Sequence, residues 1–197
     1  MSVPPTPPLL LASTSPQRRV ILAQLGIPFD AVPPRYEEHD EPGATPFELV
    51  KLHARGKACS IAGEAEERPV LGVDTAVVCG DRVLGKPAGP EAAFEMLESL
   101  NGKTHQVVSG LCLVTPGWEL VEHAVTHVSF RELTPRELAA YIETGEWEGR
   151  AGAYAIQGVG ASLVEWIEGD YLNVVGLPAA LLVGILAERF PGVYGFG

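Results

Sequence analysis

The chain has 197 residues, of which 46% are hydrophobic and 20% charged, enough to bury a core and without the bias of a disordered chain. Its formal net charge of -11 gives no general attraction for a polyanion and argues against a nucleic-acid partner, because such binders need basic surface to release counterions. A small phosphorylated ligand stays compatible with that balance if a few cations and a divalent metal converge locally.

In chain order, residues 1–8 carry no basic run, and the apolar stretch 9–12 is too short for a signal peptide or a membrane span. A cytoplasmic chain with no membrane partner is therefore expected. Residues 9–12 read as a short buried strand that runs into Ser13-Thr14-Ser15-Pro16, a helix start with Ser15 as N-cap and Pro16 in the first turn. The helix should continue through Leu25 and stop at Gly26, with Ile21, Leu22 and Leu25 as its apolar stripe. A strand over 29–32 and a Pro- and acid-rich connection over 33–43 follow. Thr45-Pro46-Phe47-Glu48 is a capping box that opens a helix reaching about Ala62.

The β-branched run 70–78 predicts a strand that turns at Gly80-Asp81 into residues 83–87 as a hairpin. Residues 90–100 form an amphipathic helix closed by Asn101-Gly102, and 105–114 and 120–130 are long strands joined across Pro116-Gly117. Thr134-Pro135-Arg136-Glu137 opens another capped helix ending at Gly145. After the glycine-rich stretch 149–160, residues 163–167 and 171–175 are expected to pair as a hairpin, and 178–190 to form a last helix. The class is α/β with a mixed sheet, because several antiparallel strands accompany the helices. Cys59, Cys79 and Cys112 form no CxxC pair and read as small buried hydrophobes, not as a disulfide framework or a thiolate metal site.

Three positions conflict with their surroundings. Arg18 shares a helical side with Ile21, Leu22 and Leu25, where a guanidinium needs an anion or a buried ion pair. It follows Ser13 and Ser15 at a helix amino terminus, where free amides and hydroxyls favour phosphate or simply cap the helix. Lys57 falls within the stripe Phe47, Val50, Ala54, Ala58 and Ile61, so it either snorkels outward or serves a buried charge. Asp74 sits in the strand Val70-Leu71-Gly72-Val73-Asp74-Thr75, where a carboxylate requires a metal or donors.

Glu38 lies in the acidic run Glu37-Glu38-His39-Asp40, which reads as solvated surface or as one of the two carboxylates a hard cation needs beside triphosphate oxygens. Lys86, before Pro87, fits a phosphate clamp or ordinary surface, and Gln157 lies among small residues that allow a ligand close to the backbone or simply pack. The glycines around Gln157 have no dinucleotide-binding context, and no nucleophile elbow is present. His53, His105, His123 and His127 show no ligand-like spacing on a common helix.

Taken together, these segments resemble the Maf family of nucleoside triphosphate pyrophosphatases from about Leu9 to Leu182. The matching pieces are Ser13-Thr14-Ser15-Pro16-Gln17-Arg18, Tyr36-Glu37-Glu38, Gly72-Val73-Asp74-Thr75, Leu84-Gly85-Lys86-Pro87, Leu100-Asn101-Gly102-Lys103-Thr104-His105, Gly152-Ala153-Tyr154-Ala155-Ile156-Gln157-Gly158 and Val175-Gly176-Leu177-Pro178. The resemblance implies one domain over 1–197, with a mixed, strongly curved sheet in two lobes around a central cleft, like inosine triphosphatase, and usually a homodimer. It implies hydrolysis between the α and β phosphorus atoms with Mg2+ or Mn2+.

Carried over by the same resemblance, Ser13, Ser15, Arg18, Lys57 and Lys86 hold phosphates, while Glu38 and Asp74 bind the metal and activate water, with Asp74 as the general base. Thr75 and Gln157 match members acting on dTTP and UTP. Gln17 stands where that subgroup commonly has arginine, which leaves a 7-methyl-GTP substrate or a broadened set as an alternative. A noncatalytic nucleotide-binding regulator of cell division is a further alternative, distinguished by binding without turnover.

Overall fold

Strand β1 (Leu9–Ala12) is buried along its whole length, and it pairs in parallel with β2 (Phe29–Val32) on one side and with β3 (Val70–Cys79) on the other. A parallel strand flanked on both sides reads as an unbroken hydrophobic run, as Leu9-Leu10-Leu11-Ala12 does. The computed structural model describes residues 7–197; most of the leading stretch read for a signal sequence lies outside the described residues. With β4 (Arg82–Leu84), β5 (Thr104–Val114), β6 (Glu119–Phe130) and β7 (Val164–Glu168), the sheet has seven strands in the order β2-β1-β3-β5-β6-β7, with β4 on β3. β3–β4 and β6–β7 are antiparallel, so the fold is mixed α/β.

The helices α1 (Pro16–Gln24), α2 (Pro46–Cys59), α3 (Pro90–Leu100) and α4 (Pro135–Glu143) each carry proline in the first turn, and α1, α2 and α4 start at the predicted caps Ser15, Thr45 and Thr134. α2 stops three residues short of Ala62, and a 3-10 turn, Ala62–Glu64, follows. Two further helices, α5 (Tyr171–Val175) and α6 (Ala179–Arg189), lie near the carboxyl end.

α5 corrects the expected hairpin of 163–167 with 171–175: β7 pairs with β6, and residues 171–175 are helical. Asp170 decides this locally, because its carboxylate accepts the Leu172 N–H at 2.8 Å and its carbonyl accepts the Asn173 N–H at 3.1 Å. Those bonds start a helical turn despite the β-branched Val174 and Val175. The Asn173 side-chain amide, fully buried, donates to the Val107 carbonyl and the Thr126 hydroxyl.

The chain divides into two compact units. The first comprises the residues through Asp74, Ser109–Ala124 and Gly176–Gly197, and its core joins Leu10, Ala54, Ala58, Ile61, Val70 and Cys112. The second comprises Thr75–Val108 and Val125–Val175, with a core around Leu97, Val107, Phe130, Tyr141 and Tyr154. Of the cysteines, only Cys112 is fully buried, where burial pushes its thiol up to about 12. Cys59 is exposed, against expectation, because it falls at the solvent side of the last turn of α2.

Candidate active site

α2 buries Val50, His53, Ala54, Lys57 and Ala58 on one face, the spacing of an inward stripe. What that face meets is glycine. A Cβ added at Gly72 of β3 would lie 2.1 Å from the Ala54 carbonyl oxygen and 2.8 Å from the Ala58 nitrogen. One added at Gly110 of β5 would lie 2.1 Å from the Val50 carbonyl oxygen. The helix therefore sits on the strands at a distance only hydrogen allows.

Alternate strand residues share a face, so Asp74 projects on the same side as Gly72, toward α2. There its Oδ1 accepts a 2.6 Å hydrogen bond from Lys57 Nζ. Glu38, from the acidic connection, places Oε1 at 2.6 Å from the same nitrogen. Lys57 is only 9% exposed, so it serves buried charge and does not snorkel. The Asp74 side chain is also largely buried, whereas that of Glu38 is half exposed. Two carboxylates thus converge on one cationic point from two different elements.

Arg18 belongs to the same unit. Its Nε donates to the Gly176 carbonyl at 2.9 Å and its Nη1 to the Ser13 hydroxyl at 3.2 Å. Burial draws its pKa below the ordinary value, and the negative charges of Asp74 and Glu38 oppose that shift in part; a guanidinium stays charged throughout. Two cations and two carboxylates therefore balance. Ser13 also accepts the Ser15 N–H at 3.1 Å, while Ser15 caps α1 by accepting the Arg18 N–H at 3.4 Å. The Ser15 hydroxyl donates to Gln17 Oε1 at 3.2 Å, so Ser15 is the helix cap and engages Gln17, whereas Ser13 braces the Ser15 amide and the Arg18 guanidinium.

Thr75, Lys86 and Gln157 fall in the second unit. Thr75 is partly buried on β3, Lys86 is exposed just after β4, and Gln157 is exposed before the 3-10 turn Gly158–Leu163. Two side chains fix the Gln157 segment: the Tyr141 hydroxyl accepts the Ala155 N–H at 3.1 Å, and the Glu146 carboxylate accepts the Val159 and Gly160 N–H groups at 2.9 Å each. Three of its glycines pack closely against neighbouring groups. A Cβ at Gly152 would meet Val77 at 3.0 Å, one at Gly158 would meet Glu146 at 2.4 Å, and one at Gly160 would meet the Ala155 carbonyl at 1.9 Å.

Among the described residues no group of three or more His, Cys, Asp or Glu side chains forms a metal cluster. The pair Glu38 and Asp74 still fits a hard divalent cation bound beside phosphate oxygens, which needs only one or two protein carboxylates. Three features were not legible in the sequence: the Gly176 carbonyl that orients Arg18, the steric role of Gly72 and Gly110, and the bonds of His53 described below. Only the glycines left a signal, as small residues inside otherwise bulky strands.

The sequence pattern of the Maf-like protein family matches residues 8–189. The chain belongs to this family. A Moorella thermoacetica relative named dTTP/UTP pyrophosphatase is 50% identical to this Maf-like chain over 95% of it and 97% of the relative. A Gloeobacter violaceus protein of the same name is 48% identical over 91% and 95% of the two chains. One from Aquifex aeolicus is 42% identical over 91% and 94%. A solved Ham1 protein of Staphylococcus aureus covers 62% of the Maf-like chain at 15% identity and TM-score 0.42, a likeness too distant to bear on the fold.

Proposed function

We propose that this Maf-like protein hydrolyses UTP and dTTP to the nucleoside monophosphate and pyrophosphate. The observation that carries the reading is the convergence of Glu38 and Asp74 on Lys57 Nζ at 2.6 Å, in the same unit as the tethered, charged Arg18. Relatives at 42–50% identity over nearly their whole lengths carry the name dTTP/UTP pyrophosphatase, which supports the substrate class.

Glu38 and Asp74 are the residues that would hold Mg2+ or Mn2+. When bound, the ion supplies charge stabilisation on the triphosphate and lowers the pKa of water. Arg18 and Lys57 are cations for the anionic oxygens, with Ser13 fixing the Arg18 guanidinium and Ser15 fixing the helix start. Asp74 accepts the proton of the water that attacks the α-phosphorus, and the Pα–O bond to the β-phosphate breaks, releasing pyrophosphate. Lys86 is assigned to phosphate, and Thr75 and Gln157 to the base, on the family resemblance. A homodimer in the cytoplasm is proposed on the same ground; no helix among the described residues is long and apolar enough to cross a membrane.

A second reading, 7-methyl-GTP or a broadened substrate set, is favoured by Gln17, whose amide oxygen is engaged by Ser15 where the subgroup commonly has a cationic side chain. A panel of UTP, dTTP, CTP and 7-methyl-GTP with and without Mg2+, followed by pyrophosphate and orthophosphate release, separates the readings. Pyrophosphate from UTP and dTTP at the highest kcat/KM is expected. Preference for 7-methyl-GTP supports the second reading, orthophosphate release contradicts the bond assignment, and binding without turnover points to a regulator.

A further inference from the structure

We infer that His53 is a positioning residue that fixes Glu38 by pinning the acidic segment on both sides of it; this rests on the reading of Glu38 above. His53 is only 4% exposed. Its Nδ1 lies 3.0 Å from the Tyr36 hydroxyl and its Nε2 lies 3.1 Å from Asp40 Oδ1. A carboxylate accepts, so Nε2 carries a proton and donates to Asp40, while Nδ1 hydrogen-bonds the tyrosine hydroxyl. Tyr36 and Asp40 stand two residues before and two after Glu38. One imidazole therefore holds both flanks of the segment.

The helix places this pin beside the cluster. His53 and Lys57 are four residues apart on α2, hence neighbours on one face, and Lys57 Nζ is the group Glu38 meets. Between them, Gly56 seats the Tyr36 ring: a Cβ there would lie 2.3 Å from the ring. The ring seat, the two imidazole bonds and the Glu38–Lys57 pair dock residues 36–40 on a single turn and a half of α2. The Glu38 side chain is half exposed and is carried by the segment that His53 pins. Without His53 the carboxylate would lose its register against Asp74, because a group outside the ligand set that orients a ligand commonly changes metal affinity by about tenfold to a hundredfold.

The test compares the full chain with His53→Phe, His53→Gln, Tyr36→Phe and Glu38→Gln. Glutamine spans the same two partners with one acceptor and one donor, phenylalanine with neither, and Tyr36→Phe keeps the ring on Gly56 while deleting one bond. Readouts are amide exchange of residues 36–40, Mn2+ binding in the absence of nucleotide, and the Mn2+ dependence of UTP turnover. In His53→Phe we expect loop exchange and the Mn2+ dissociation constant each to rise about tenfold or more. UTP KM at saturating Mn2+ should move less than about twofold, and His53→Gln should recover most of the loss. Tyr36→Phe should show a smaller change of the same kind, and it carries the test should His53→Phe not fold. Wild-type exchange and Mn2+ affinity in both His53→Phe and Tyr36→Phe would overturn the proposal. Wild-type turnover in Glu38→Gln would instead remove the reading of Glu38, a result distinguishable because the loop exchange is measured separately.

Discussion

The two units bury polar groups in opposite ways. In the first, Lys57 meets Asp74 and Glu38 at 2.6 Å each, and Arg18 lies in the field of the same two carboxylates. In the second, His105 is 2% exposed, bonds the Tyr154 hydroxyl through Nε2 at 2.8 Å and lies edge-on to Phe130. Desolvation holds its pKa at about 4, so it is neutral at pH 7, and no charge among the described residues offsets its burial. A buried charge is tolerated where a second charge meets it and is otherwise titrated away. Charge retained in a core therefore marks the unit where anion chemistry is expected, and charge suppressed marks structural packing.

The largest effect should come from breaking the compensation. Lys57→Met removes the cation that both Asp74 and Glu38 meet, leaving Arg18 to compensate two carboxylates, and should cost about 3 kcal/mol in denaturant unfolding, with turnover lost by about a hundredfold or more. Adding Asp74→Asn to it should return part of the stability and none of the turnover, and strict additivity would mean that the two do not interact. Next, Gly72→Ala forces a Cβ against the Ala54 carbonyl. It should cost about 1–3 kcal/mol by overpacking, with turnover falling because α2 carries Lys57 and β3 carries Asp74.

The second unit should respond to pH. Between the unfolded histidine pKa near 6.5 and the native value of about 4, the unfolded chain binds the proton and the native chain does not. Stability is full above that window and declines as pH falls through it, by up to about 3 kcal/mol. His105→Leu should flatten that part of the unfolding profile even though its stability at pH 7 is lower. An unchanged slope would show that His105 is not the neutral group described here.

The smallest expected effect is shared by both units. Thr45 and Thr134 make the same capping box: each backbone N–H donates to a glutamate at 2.8 Å, and each hydroxyl accepts a backbone N–H at 3.3 Å. Thr45→Ala and Thr134→Ala should each cost about 1 kcal/mol in thermal unfolding. Markedly unequal costs would mean that a cap is coupled to its unit's polar centre.

The sequence showed the charged centre better than its supports. Lys57 and Asp74 were visible because a cation on an apolar stripe and a carboxylate in a β-branched strand each demand compensation, and the structure pairs them. Arg18 was visible as a charge on the stripe side, but its acceptor, the Gly176 carbonyl, is a backbone atom 158 residues away that no periodicity reveals. Caps and proline positions located the helix starts, because those signals are local. The β-branched composition of residues 171–175 points to a strand, but the cap at Asp170 prevails, a case of side-chain hydrogen bonding overriding propensity. His53 carried no spacing signal, because both of its partners come from a loop whose course the sequence leaves open.

Turnover of UTP by Asp74→Asn measures the central claim most directly. The substitution keeps shape and removes the negative charge that meets Lys57. With native circular dichroism retained, pyrophosphate release should fall by about two to four orders of magnitude. Release within about threefold of the unsubstituted chain would contradict the assignment of the chemistry to the Lys57-centred cluster.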